Sequence, residues 1–254
     1  METIIIGFFL GLSIGLTGIG GGMLTTPFLI LFMGVPVPIA VGTSLLFSAI
    51  TKVFAAVIYL LRGLICTKLI FLLLVGSIPG SILGSYLLHY FYDKYPYISN
   101  KLIPIIIFIM ILLSSLFSLF RLFSKSRHLT DIDIRSKSYL IPLIGFVVGF
   151  DIGFTSVGAG IIVASLLLAF CSLSPSKIVG TDIVHGLILT IFASGLHLTL
   201  DGVNTSILLD LIKGGILGVI LGSIIAPYLP QKPFRLSLNI IVLVLAVLLL
   251  RNTI

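Results

Sequence analysis

Asp182 and His185 stand three residues apart in an otherwise apolar run, so on a helix they share one face. A carboxylate beside an imidazole can hold and pass a proton; the same pair can equally lock helix register as a structural hydrogen bond. Lys52 is a lone cation in another apolar run, eight residues after Ser44. Turned inward, it offers positive charge to an anion or neutralises Asp182; turned outward, its stem reaches water. A third constellation is Gly18-Ile19-Gly20-Gly21-Gly22, followed by Pro27. Glycine costs ~1 kcal/mol per helical position relative to alanine, so this cluster favours a break. A helix restarting after a break points bare N–H groups and a positive dipole end into the gap, and glycine lets a ligand approach the backbone. That is anion-binding chemistry, with Gly20, Gly21 and Gly22 as candidates and Thr17 and Thr25 as hydroxyl donors. Glycine also serves close helix packing, which is the expected role of Gly76, Gly80 and Gly84 and of Gly214, Gly218 and Gly222.

Other polar residues carry weaker expectations. Asp151, between Gly149 and Gly153, is expected to cap a helix end or to face the same pathway. His197 and Asp201 lie near the end of their run and are expected at an interface. Asp210 and Lys213, three apart, are expected to neutralise each other. Cys66 and Cys171 lack a C-x-x-C spacing and read as small buried residues. Ser156 with His185 or His197 is the one arrangement an intramembrane serine hydrolase would use. No H-E-x-x-H, paired-aspartate protease motif or P-loop is present, so neither an enzyme nor a metal or cofactor is expected.

The elements that must hold these residues follow from composition. Of 254 residues 58% are apolar and 9% charged, against roughly 25% charged in an ordinary globular chain. So much apolar surface cannot be hidden in one water-soluble core. Soluble enzymes, nucleic-acid binders and disulfide scaffolds are excluded; the lipid bilayer is the expected surroundings. Eight apolar runs approach the ~20 residues that a bilayer core requires: 3–33, 38–61, 66–91, 102–123, 139–171, 177–200, 204–229 and 234–250. The N-terminal run lacks the basic region of a secretory signal and reads as part of the first unit.

The chain is duplicated. An offset of 138 residues places Gly7 on Gly145, Gly11 on Gly149, Gly15 on Gly153, Thr17 on Thr155, Gly20 on Gly158 and Gly22 on Gly160. The same offset places Gly42-Thr43 on Gly180-Thr181, and Gly76, Gly80 and Gly84 on Gly214, Gly218 and Gly222. The expected fold is an all-α polytopic membrane protein of two four-segment modules, 1–123 and 139–254, joined by a polar cytoplasmic linker, 124–138. Residues 3–33 as one helix would be about 46 Å long, too long for one comfortable span. A broken or re-entrant first segment in each module accounts for both the length and the glycines.

Loop charges choose the topology. With broken first segments the modules are inverted, and Arg62, Lys68, Arg121, Lys125, Arg127, Arg135, Lys137, Lys177, Lys232 and Arg235 share one side. Lys94, Lys101 and Arg251 lie on the other, a ten-to-three split that makes the first side cytoplasmic and puts both termini outside. Inverted repeats with broken helices at the midplane are a transporter architecture.

Gly15-Leu-Thr-Gly-Ile-Gly-Gly-Gly22, Pro27, Ala40-Val-Gly-Thr-Ser44 and Gly76-Ser-Ile-Pro-Gly80 with Gly84, echoed by Gly158, Gly160 and Gly180-Thr181-Asp182, resemble the sulfite exporter TauE/SafE family over essentially the whole chain. The resemblance implies a bacterial inner-membrane permease for a small sulfur oxyanion or organosulfonate such as sulfite. The second module has Ala159 for Gly21 and Ser165 for Pro27, so an asymmetric site is expected. The candidate substrate-binding set is Thr17, Gly20, Gly21, Gly22, Thr25, Thr43, Ser44, Lys52, Ser156, Gly158, Gly160 and Thr181, with Asp182 and His185 for proton coupling. The expected partners are a small anion and the bilayer, with self-association into a homo-oligomer an open option. A passive channel and a helper subunit are the competing readings.

Overall fold

A computed structural model describes residues 2–17, 21–123, 140–157, 163, 173–200, 202–229 and 231–253. Gly18, Gly20, Gly158, Ala159, Gly160, Ser165, Cys171, Asp201 and the linker 124–138 lie outside the described residues. Among those described, the regular elements are nine α-helices and one short 3-10 turn. They are α1 (Glu2–Thr17), α2 (Gly21–Met33), α3 (Val37–Leu61), α4 (Thr67–Lys94), α5 (Pro96–Phe123), α6 (Leu140–Thr155), α7 (Pro175–Leu200), α8 (Thr205–Ile225) and α9 (Gln231–Thr253), with the turn Ala226–Tyr228 after α8. Among the described residues, five stretches are long and apolar enough to cross a bilayer: Val37–Leu61, Thr67–Lys94, Ser176–Leu200, Thr205–Tyr228 and Leu236–Thr253. The molecule is a polytopic helical membrane protein.

The run 3–33 is two helices, α1 ending at Thr17 and α2 starting at Gly21, and α6 ends at Thr155 in the middle of the run 139–171. Elsewhere the punctuation follows local chemistry. Pro36 precedes α3 and Pro38 occupies its first turn, where a missing N–H costs nothing. At the other end Gly63, with φ 63°, lets Leu64 N–H return to the Tyr59 carbonyl and Gly63 N–H to the Leu60 carbonyl. Asn204 caps α8, its side chain accepting from Ile207 N–H at 3.1 Å. The outward faces carry Phe9, Phe32, Phe71, Leu143, Leu217 and Val247, apolar side chains suited to lipid. Lys94 lies over the rings of Tyr90 and Tyr95 at the end of α4, an interfacial arrangement.

Two helix pairs form the closest contacts, and glycine is why. On α1, a Cβ added at Gly7, Gly11 or Gly15 would fall on the backbone carbonyl of Leu211, Gly215 or Val219 in α8. Gly214, Gly218 and Gly222 of α8 meet the carbonyls of Ile4, Phe8 and Leu12 in return. The second pair repeats this: Gly76, Gly80 and Gly84 of α4 lie on Pro142, Phe146 and Phe150, and Gly145, Gly149 and Gly153 of α6 on Leu73, Ser77 and Ser81. Numbers rise together in both pairs, so each is parallel. The packing role expected of the two ladders holds, and each ladder is completed by the first helix of the other module. α3 packs on α7 and α5 on α9.

The Gly-Thr motifs dock loops between the modules. Gly42 leaves room for the Gly202 carbonyl, and Thr43 Oγ1 accepts from Asn204 N–H at 3.0 Å. Gly180 leaves room for the Leu64 carbonyl, and Thr181 Oγ1 accepts from Cys66 N–H at 2.9 Å. Cys66, expected to be buried, is half-buried at the start of α4.

Candidate functional site

The two breaks meet. At the start of α2, a Cβ on Gly22 would fall on the backbone carbonyl of Ser156, the residue that follows α6. Ser156 has φ 62°, a left-handed conformation costly for a residue with a side chain. Its hydroxyl bonds Thr26 Oγ1 of α2 and lies 2.9 Å from Ser44 Oγ of α3, while Thr26 and Ser44 are 2.5 Å apart. Ser44 also reaches the Val41 carbonyl at 2.9 Å. Hydroxyl hydrogens rotate, so these three buried groups can turn onto the oxygens of a ligand beside them.

From this cluster a polar line runs along one face of α3. Ser44, Ser48 and Lys52 are spaced by four, and all are buried. Ser48 Oγ sits against Gly21, where a Cβ would collide with it and with Ile14 Cδ1. Thr25 is one turn beyond Gly21 on α2. Among the described residues, Ser48 Oγ and Thr25 Oγ1 are buried without a hydrogen-bond partner. Such orphans beside the free N–H groups of a helix start are what an oxyanion would satisfy.

Lys52, 2% exposed, ends the line in the interior, as one of its two sequence readings had it. Its ammonium lies at Gly186 of α7, where a Cβ would come within 2.6 Å of Nζ. His185 is the neighbour of Gly186 and Asp182 lies one turn back on α7, both buried. His185 Nε2 is 3.0 Å from Ser77 Oγ of α4, and among the described residues its Nδ1 has no partner. Lysine, carboxylate and imidazole therefore form one buried cluster between α3, α4 and α7.

Behind the second break, Thr155 Oγ1 lies 2.7 Å from Asp151 Oδ1 and 2.9 Å from the Asp151 carbonyl, donating to them, and accepts from Val157 N–H at 3.1 Å. Both breaks are steadied alike. The Tyr59 hydroxyl reaches the Gly15 carbonyl at 3.4 Å, and His197 Nε2 is 3.1 Å from the Gly153 carbonyl. Both pairs obey the offset of 138. His197 is thus fully buried rather than interfacial, because it occupies the place of Tyr59 and serves a carbonyl at a helix end. His185 meets Ser77 and His197 meets the Gly153 carbonyl, while the Ser156 hydroxyl is engaged by Thr26 and Ser44. Asp210 and Lys213 form an exposed ion pair at 2.9 Å.

The structure brings Gly21, Gly22, Ser44 and Ser156 to the meeting of the breaks, with Thr25 one turn along α2 and Lys52, Asp182 and His185 at the far end of the line. Thr43 and Thr181 are set apart at the docked loops, and buried Thr17 donates to the Ser13 carbonyl at 2.8 Å. Gly20, Gly158 and Gly160 lie outside the described residues. Sequence reasoning missed Thr26, Ser48 and Ser77. The spacing 44, 48, 52 held the signal for Ser48; Thr26 and Ser77 carry none, since their partners come from distant segments.

Residues 3–249 match the family described as "Sulfite exporter TauE/SafE". The chain belongs to this family. It is 33% identical over 248 residues to "Probable membrane transporter protein YjnA" of Bacillus subtilis (strain 168), covering 96% of this chain and 97% of that one. It is 24% identical over 256 residues to "Probable membrane transporter protein YunE" of the same organism, covering 95% and 94%. No solved structure matches. As a TauE/SafE family member, the protein is a multi-pass membrane transporter.

Proposed function

We propose that the transporter carries a small sulfur oxyanion or organosulfonate, sulfite first among the candidates, by proton-coupled secondary transport across a bacterial inner membrane. One observation carries the reading: Ser44, Ser48 and Lys52 share a buried face of α3 that runs from the meeting point of the two breaks to an interior ammonium. Hydroxyls, helix-start N–H groups and a buried cation are the donor set of an oxyanion site. The family's description adds the sulfur chemistry. Asp182 and His185, beside Lys52, supply the proton-binding groups, so the proton's charge can offset the anion's during transit.

The proposed architecture is a pair of inverted repeats, 1–123 and 139–254, joined by a cytoplasmic linker, 124–138. The helix pairing supports it. α1 and α8 run in parallel register, and the loop before α8 docks at Thr43, near the start of α3. α1 and α3 then start at one end, so α1 and α2 leave and return to it. α4 and α6 run in parallel register too, and the loop between α3 and α4 docks at Gly180, near the start of α7. The second module then starts at the end where α3 finishes.

Reconstitution into proteoliposomes tests the function. Sulfite, sulfate, thiosulfate and methanesulfonate are offered with and without a pH gradient. One of them is expected to accumulate against its gradient only when the proton gradient is present, and Asp182→Asn is expected to abolish the accumulation while inserting normally. Mere equilibration indifferent to pH would point to a channel instead, and an Asp182→Asn variant accumulating at the wild-type rate would remove that residue from the coupling.

A further inference from the structure

Asp151 belongs to none of the groups above, yet it is the one carboxylate attached to a break. It is 2% exposed, Oδ1 is served by Thr155, and Oδ2 is buried without a partner among the described residues. Thr155 in turn receives Val157 N–H, so the carboxylate is wired to the backbone on the far side of the strained Ser156. The first module has the same threonine without the acid. Thr17 donates to the Ser13 carbonyl, as Thr155 does to that of Asp151, and Ser13 stands where Asp151 does.

From this geometry we infer that Asp151 is a second proton-binding site, whose occupancy sets how the second break is hydrogen-bonded and so how well it accepts an anion. A half-satisfied carboxylate in the membrane interior is expensive. A proton on Oδ1 removes the charge and leaves Oδ2 a neutral acceptor, much cheaper to leave bare. That proton is donated to Thr155 Oγ1, and the threonine's own hydrogen passes wholly to the Asp151 carbonyl, already 2.9 Å away. One carboxylate and one hydroxyl are too few for a metal ion, which takes about six oxygens.

α6 packs on α4 and α7. α7 carries Asp182, His185, His197 and Lys177, and α4 carries Lys68, His89, Asp93, Lys94 and several tyrosines; the side-chain hydrogen bond of Asp151 goes to Thr155, and its Oδ2 has no hydrogen-bond partner among the described residues. A charged Asp151 near the break repels an anion, so affinity should rise as pH falls. The inference rests on the reading of the two breaks as the substrate site.

Two measurements on the full chain in lipid test it. Infrared difference spectra between alkaline and mildly acidic buffer should show protonated-carboxyl absorption with a component that is lost in Asp151→Asn and restored, shifted, in Asp151→Glu. Binding of labelled methanesulfonate, whose charge stays constant with pH, should tighten on acidification by up to about tenfold per pH unit. In Asp151→Asn that profile should lose the part of its slope that Asp151 contributes, leaving only what Asp182 and His185 supply, and Asp151→Glu should recover it. A melting curve confirms that each variant is folded. An unchanged band in Asp151→Asn overturns the proton site, and a wild-type slope in that variant overturns its control of the break. If the wild type fails to bind methanesulfonate or sulfate, the substrate reading falls, and the infrared band alone decides whether Asp151 takes the proton.

Discussion

Gly21 and Gly22 are neighbours in sequence and face different obstacles. A methyl group on Gly21 meets the tips of Ser48 and Ile14, which can turn aside; on Gly22 it meets the Ser156 backbone, which cannot. Gly21→Ala should therefore express and melt nearly as the wild type does, while Ser48 is pushed out of the line and apparent substrate affinity falls. Gly22→Ala should lose stability by about 1–3 kcal/mol, the usual cost of overpacking, before affinity is in question. A melting curve and a substrate titration on both variants separate the two. Silence of Gly21→Ala in the titration would mean that its face of α2 does not touch substrate. The sequence separated the two glycines only through the second module, which keeps Gly160 for Gly22 but has Ala159 for Gly21; the contacts that tell them apart lie in other segments. Ser48 was overlooked for a related reason. A single serine in an apolar helix usually bonds its own backbone four residues back, and only the shared spacing with Ser44 and Lys52 distinguishes it.

At the scale of elements, the glycines spaced by four were legible as packing surfaces, but their partners were not. Spacing tells that a backbone approaches; it does not say that α4 lies on α6 and α1 on α8, pairings that cross the two modules. The duplication held a clue: because the ladders on α4 and α8 repeat at the same offset as those on α1 and α6, any such exchange must occur twice. Gly80 sits in the middle of one ladder, with the Phe146 carbonyl where its Cβ would be. Gly80→Ala must push α4 and α6 apart against main chain on both sides. It should cost at least the ~1–3 kcal/mol of ordinary overpacking, read as a lowered melting midpoint, while the fraction that folds binds substrate with wild-type affinity. Weakened affinity at an unchanged midpoint would instead move the ladder into the transport path. His197 was misread at this scale as well. Position along a run suggested an interface, whereas its counterpart Tyr59 and the carbonyl at the end of α6 require it inside.

For the whole molecule, the decisive quantity is how many times each module crosses the bilayer. Four crossings per module leave the two halves parallel; three crossings and a re-entrant pair turn one over. Loop charge and helix pairing speak independently for the second. Leaving out Lys52 and Lys213, which fall inside the apolar runs, the cations divide ten to three only if the first segments turn back, and the loops docked at Thr43 and Thr181 favour opposite ends for the starts of α3 and α7. Single cysteines introduced at Glu2, Arg127 and Asn252, with Cys66 and Cys171 replaced by serine, give the readout. A membrane-impermeant maleimide applied to intact cells should label positions 2 and 252 and reach 127 only after lysis. An odd number of crossings would expose one terminus without the other, and parallel modules would place the linker on the same side as both termini. Label at position 127 in intact cells would therefore end the inverted arrangement. It would also remove the reason for placing both breaks at one depth by symmetry, leaving the Ser156–Thr26–Ser44 contact to carry the site by itself.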